Sequence, residues 1–111
     1  MSAYESKIRN EATDMLVKAL LSLENEEECY RFLEDICTYK EVLDLAQRLQ
    51  VAGMLRRKVT YNDIVHETGM STATISRVNR AIAYGAGGYE TVLTRLDMQT
   101  KQEEEETETN D

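Results

Sequence analysis

The chain has 111 residues, room for one domain with one core, and contains no proline, no tryptophan and a single phenylalanine, Phe32. Leu, Ala, Glu, Arg and Met are plentiful and alternating β-branched or aromatic runs are scarce, which favours an all-α domain. No apolar run nears the ~20 residues that a membrane span needs, the polar start MSAYESKIRN does not read as a secretory signal, and the net charge of −8 argues, taken whole, against nucleic acid.

The first helix is predicted from about Tyr4 to Leu23. Ile8, Ala12, Met15, Leu16, Ala19, Leu20 and Leu23 form its apolar stripe. Asn25 is placed to cap the second helix, with Glu26, Glu27 and Glu28 in a first turn where the helix dipole favours acid. Cys29, Tyr30, Phe32, Leu33, Ile36 and Cys37 make its apolar face. On one helix the two cysteines stand ~12 Å apart along the axis, too far for a disulfide. They read as reduced, small apolar residues, which suits a cytoplasmic protein. Thr38 and Glu41 have capping-box spacing and open a third helix that runs to about Arg57. Its apolar positions, among them Val42, Leu43, Leu45, Ala46, Leu49, Ala52, Met54 and Leu55, cover more than one face. That predicts a central helix buried on two sides. Arg56, Arg57 and Lys58 close it, where cations suit the C-terminal dipole and where a phosphate backbone could also pass.

Residues 60–83 are predicted to form two short helices around a tight turn. Thr60 caps the first, with Asp63 three residues on, and Ile64 and Val65 supply its apolar face. Gly69 provides the left-handed turn residue. Ser71 caps the second helix, whose Ile75, Val78 and Ile82 share one face. This is the order of parts in a DNA-binding helix-turn-helix. On the outer face of the second helix lie Ser71, Thr72, Ala73 and Ser76, small enough for close approach to base edges. Arg77 and Arg80, with Asn62 and Arg56 or Arg57, are the candidate phosphate contacts. An ordinary helical hairpin with a solvated Ser/Thr/Arg face uses the same grammar. After the break at Gly85-Ala86-Gly87-Gly88, a short last helix is predicted at about Tyr89 to Leu96.

Charge is distributed unevenly. Between Leu45 and Arg95, seven basic residues oppose Asp63, Glu67 and Glu90, a net of +4, whereas the tail from Lys101 to Asp111 carries −5. The basic charge therefore gathers around the helix-turn-helix, where it can steer toward phosphates. The tail lacks apolar periodicity and is expected to be disordered, which leaves residues 1–100 as the folded domain. Leu16, Leu20, Leu23, Leu93 and Leu96 are more apolar surface than a monomer of this size easily hides. A symmetric homodimer is the simplest remedy, and two recognition helices one turn of DNA apart would read a pseudo-palindrome.

Gly69 at the turn, the run Ala73-Thr74-Ile75-Ser76-Arg77, and Thr38-x-x-Glu41 followed by Arg48 carry a resemblance. The block from about Phe32 to Leu96 resembles the Trp repressor superfamily and looks most like its YerC/YecD branch. The run is similar to that family's Ala-Thr-Ile-Thr-Arg recognition helix. The resemblance implies an intertwined all-helical dimer whose helix-turn-helix heads read an operator. It also implies a pocket for L-tryptophan between the central and recognition helices. Arg48 and Arg77 match the two arginines that sandwich the indole, one of which also holds the carboxylate. Thr74 matches a pocket threonine, and Thr38 matches one whose backbone region lines the pocket. Two positions depart: the family's glycine beside the indole is Val78 here, and its ligand-holding serine is Ala81. Val78 would occupy the space of the ring. Ala81 has no hydroxyl, a loss of about 1–3 kcal/mol in a polar site. L-tryptophan is accordingly not expected to be the corepressor. DNA binding without a ligand, or with another small molecule, is.

The resulting expectation is a dimeric, sequence-specific transcriptional regulator, a repressor, with no metal and no membrane partner. The rival is a protein-interaction adaptor that uses the helical hairpin without DNA, which the overall acidity favours. An enzyme is not expected: Asp63, His66, Ser71 and Ser76 form no evident triad, and no glycine-rich phosphate loop occurs.

Overall fold

The computed structural model describes residues 3–109. Six helices follow in order, α1 (Glu11–Leu21), α2 (Glu26–Ile36), α3 (Tyr39–Arg56), α4 (Tyr61–Thr68), α5 (Thr72–Tyr84) and α6 (Gly88–Thr109), with no strand among the described residues. The chain divides into two compact units, Met1–Val42 and Leu43–Asp111, with the division falling inside α3.

Capping chemistry sets most helix starts. Asn10 Oδ1 accepts from the Thr13 N–H at 2.9 Å, and Thr13 Oγ1 accepts from the Asn10 N–H at 2.7 Å. This reciprocal pair starts α1 at Glu11 rather than near Tyr4, because it holds Asn10 extended and so breaks the helix before it. Ile8, counted in the predicted stripe, lies outside the helix. Asn25 caps α2 by accepting from the Glu28 N–H at 2.9 Å, as its position suggested. The predicted capping box at α3 is complete. Glu41 Oε1 accepts from the Thr38 N–H at 2.8 Å, and Thr38 Oγ1 accepts from the Glu41 N–H at 3.1 Å. The Thr38 backbone donor, helped by the Thr38 hydroxyl, holds the Glu41 carboxyl below its usual 4.5.

The end of α3 is a Schellman turn. The Lys58 N–H donates to Leu55 O and the Val59 N–H to Met54 O, both at 3.0 Å, and Lys58 takes φ 66°. The left-handed position usually goes to glycine, so no residue pattern pointed to it here.

The second unit has a definite core. Val51, Ala52 and Met54 of α3, Ile64 of α4, Ile75 and Val78 of α5 and Leu93 of α6 are buried. Leu55, Val59, Val65, Met70, Ile82 and Tyr89 pack around them. Only the second half of α3 enters this core. Leu43, Leu45 and Leu49, which precede Val51 in the helix, remain exposed, so the helix is not buried on two sides within one chain. Leu93, expected to be partly exposed, is a core residue, whereas Leu16, Leu20 and Leu96 are exposed as expected.

The last helix is longer than its apolar pattern indicates. Described helix continues through Thr109, where a disordered tail was expected from Lys101. No glycine or proline interrupts the chain after Gly88, and Glu, Gln, Lys and Leu are all good helix formers, so propagation from the packed Leu93 turn continues without an apolar face. Asn110 and Asp111 lie outside the described residues. Among the described residues, no helix is long and apolar enough to cross a membrane.

Candidate functional site

The turn between α4 and α5 is built from short-range bonds. Gly69 adopts φ 72°, and its N–H donates to Val65 O at 2.8 Å. Thr68 Oγ1 donates to Ile64 O at 2.6 Å and accepts from the Met70 N–H at 3.2 Å. This Thr68 staple was not foreseen from the sequence. Thr60 Oγ1 accepts from the Asp63 N–H at 3.2 Å and Ser71 Oγ from the Thr74 N–H at 3.2 Å, so both expected caps are in place. Ile64 and Ile75, fully buried, fix one helix against the other.

This packing turns the polar side of α5 outward. Thr72, Ala73, Ser76, Arg77 and Arg80 are exposed, as is Asn62 in the first turn of α4. The first turn of α5 carries no acidic residue, so its partial positive charge is not offset by a side chain of that turn. Ser71 is also exposed, but its oxygen is engaged within its own helix, capping Thr74 and lying 3.0 Å from Thr74 Oγ1. That leaves Thr72, Ala73 and Ser76 as the freer surface.

The two candidate arginines at the end of α3 differ. Arg56 is held by α6: Nη2 donates to Thr94 Oγ1 at 2.9 Å and lies 3.3 Å from Glu90 Oε1, while Nη1 lies 3.7 Å from Asp97 Oδ2. Its guanidinium is thereby occupied in joining α3 to α6, because the two carboxylates and the hydroxyl stand one turn apart on the facing helix. Arg57 and Lys58 are exposed.

Behind α5 lies a pocket of about 350 Å³ lined by Asp44, Arg48, Met70, Thr74 and Arg77. Three of the residues singled out for a ligand pocket, Arg48, Thr74 and Arg77, come together there. The others do not line it. Val78 is 2% exposed and belongs to the core, because its side chain lies on the same face as Ile75. Ala81 is exposed, and Thr38 caps α3 in the other unit. Asp44 and Met70 were missed. Asp44 sits one turn before Arg48 and was legible as its neighbour on one helix face. Met70 carries no such signal, since only the turn geometry brings it in.

Comparison with known proteins gives this arrangement a lineage. Residues 11–97 match the family model for the Trp repressor protein. The chain belongs to the Trp repressor family. It is 53% identical over 90 residues to the uncharacterized protein YerC of Bacillus subtilis strain 168, covering 81% of this chain and 86% of that protein. The crystal structure of a TrpR-like protein from Eubacterium eligens ATCC 27750 superimposes with a TM-score of 0.78 at 52% identity, covering 83% of this chain and 95% of that one. A second crystal structure, from Staphylococcus aureus, gives 0.77 at 49% identity over 82% of this chain and 91% of its own. The Trp repressor family consists of DNA-binding regulators, not enzymes.

Proposed function

We propose that this chain is a cytoplasmic transcriptional repressor that binds a pseudo-palindromic operator as a homodimer. The observation that carries the reading is the outer face of α5. Thr72, Ala73 and Ser76 are exposed at the start of a helix with no acid in its first turn, with Arg77 and Arg80 beside them. In this reading Thr72, Ala73 and Ser76 meet base edges, and Ser71 approaches them while capping its helix. Arg80, Asn62 and Arg57 hold phosphates.

The dimer rests on apolar surface. Met15, Leu16, Leu20 and Leu21 of α1, Tyr30 of α2, and Leu43, Leu45 and Leu49 of α3 are all exposed in a single chain. Side chains of this kind stabilise an assembly by about 25 cal/mol per Å² when covered, and a second copy supplies a complementary set by symmetry. Light scattering should return twice the 12.7 kDa chain mass. A monomer at micromolar concentration would remove the two-headed operator.

The deciding experiment is selection from random duplex DNA with purified protein, with and without L-tryptophan. We expect an enriched pseudo-palindrome in both conditions. Calorimetry should show no L-tryptophan binding in the micromolar range, since Ala81 offers no hydroxyl to a ligand; Val78, packed in the core, lies outside the pocket and does not fill the ring's space as the sequence suggested. No enrichment at low salt in either condition would sink the DNA reading.

A further inference from the structure

The recognition helix has an inner side as well as an outer one. Thr74 and Arg77 of α5 face Asp44 and Arg48 of α3 across the pocket of about 350 Å³ that Met70 closes at the turn. Two arginines and one aspartate line that space. None of the ion pairs among the described residues joins them, so neither arginine is neutralised by direct contact. Asp44, Arg48 and Arg77 are all exposed at the pocket, so solvent screens the repulsion between the arginines and a nearby carboxylate offsets it by a modest amount. Asp44 is the one acidic residue lining the pocket. It precedes Arg48 by four residues on α3, acid before base, which is the favourable order for two side chains on one helix face. It also stands across the pocket from Arg77, which belongs to α5.

We propose that Asp44 is a positioning residue whose carboxylate is the built-in anion of this pocket. It offsets Arg48 and Arg77 and so sets α5 in its DNA-binding posture without a small-molecule anion. The proposal rests on the DNA-binding reading above and adds its regulation: competence is constitutive.

The test uses the full chain and a duplex from the selection experiment. Fluorescence anisotropy is measured for the parent protein and for D44N, D44A and D44E, beside nitrogen-15 spectra of the arginine Nε–H groups, which need no DNA. D44N and D44A should bind about two- to fivefold more weakly while melting at the parent temperature, and D44E should bind close to the parent. Sodium acetate should restore D44A where sodium chloride at equal ionic strength does not. The Arg77 Nε–H resonance should move in D44N. A bystander carboxylate near DNA predicts the opposite sign, because removing a negative charge tightens phosphate binding. D44N binding as well as or better than the parent overturns the proposal, and so does an unmoved Arg77 resonance. If the parent itself binds no duplex at any salt, the DNA reading fails separately. The arginine spectra and their response to acetate then decide alone whether Asp44 serves Arg77.

Discussion

Arg56 and Arg57 are adjacent in sequence and should fail in different ways. Replacing Arg56 by Gln removes the bond to Thr94 at 2.9 Å and the ion pairs to Glu90 and Asp97 at 3.3 and 3.7 Å. A hydrogen bond to a charged group contributes about 1.5–3 kcal/mol when buried, and exposed ion pairs about 0–1 kcal/mol. The Arg56 side chain is 30% exposed and both carboxylates 66%, which places the loss toward the low end of those ranges. A loss on the order of 1–2 kcal/mol follows, or roughly 4–16 °C in melting temperature for a domain of this size. Replacing Arg57, an exposed residue, should leave stability within about 0.5 kcal/mol. DNA binding should show the reverse. Each phosphate contact contributes about 0.9 to the slope of log affinity against log salt, so R57Q should flatten that slope by about 0.9 per bound copy while R56Q keeps it. Thermal melts and anisotropy titrations across a potassium chloride series measure both quantities. An R56Q protein that melts like the parent but loses the salt slope would refute the assignment of Arg56 to α6.

Further tests address the turns and caps. Gly69→Ala should cost about 1–2 kcal/mol in urea unfolding, all of it from the φ of 72°, since an added Cβ meets no atom within 4 Å. Lys58→Gly should have the opposite sign. It relieves a left-handed lysine worth about 1–2 kcal/mol, offset by about 0.5–1 kcal/mol of glycine entropy, so a small gain in urea midpoint is expected. Glu41→Gln tests the α3 capping box by pH. The Glu41 carboxyl is held below 4.5 when folded, so its stabilisation is present above that value and is lost as pH falls through the lower folded value. The gap in melting temperature between parent and E41Q should be widest near neutral pH and close well below pH 4.5. A gap that persists in acid would mean the carboxylate charge is not what stabilises the cap.

Local chemistry was readable in the residues. Asn25, Thr38, Thr60 and Ser71 cap helices as their types and spacings indicate, because a cap bond spans only three residues. Gly69 marks the turn for the same reason: its left-handed φ depends on its own backbone. The periodic Ile64, Ile75 and Val78 identify the buried side of the two helices, and the outward Ser, Thr and Arg residues follow by subtraction. Sequence alone therefore determined the all-helical class, the helix-turn-helix and its candidate DNA face. Only tertiary structure decided how the charged groups are shared. Arg56 is drawn to Glu90, Thr94 and Asp97, far along the chain, and Arg57 is not. Val78 is taken into the core, while Asp44 and Met70 join Arg48, Thr74 and Arg77 around one pocket. These outcomes depend on where separate helices meet, which no local spacing encodes. The left-handed Lys58 and the continuation of α6 to Thr109 went unread for a related reason. Propensity is a weak prior, and the packing and hydrogen bonds at the preceding turn settle whether a helix stops or continues.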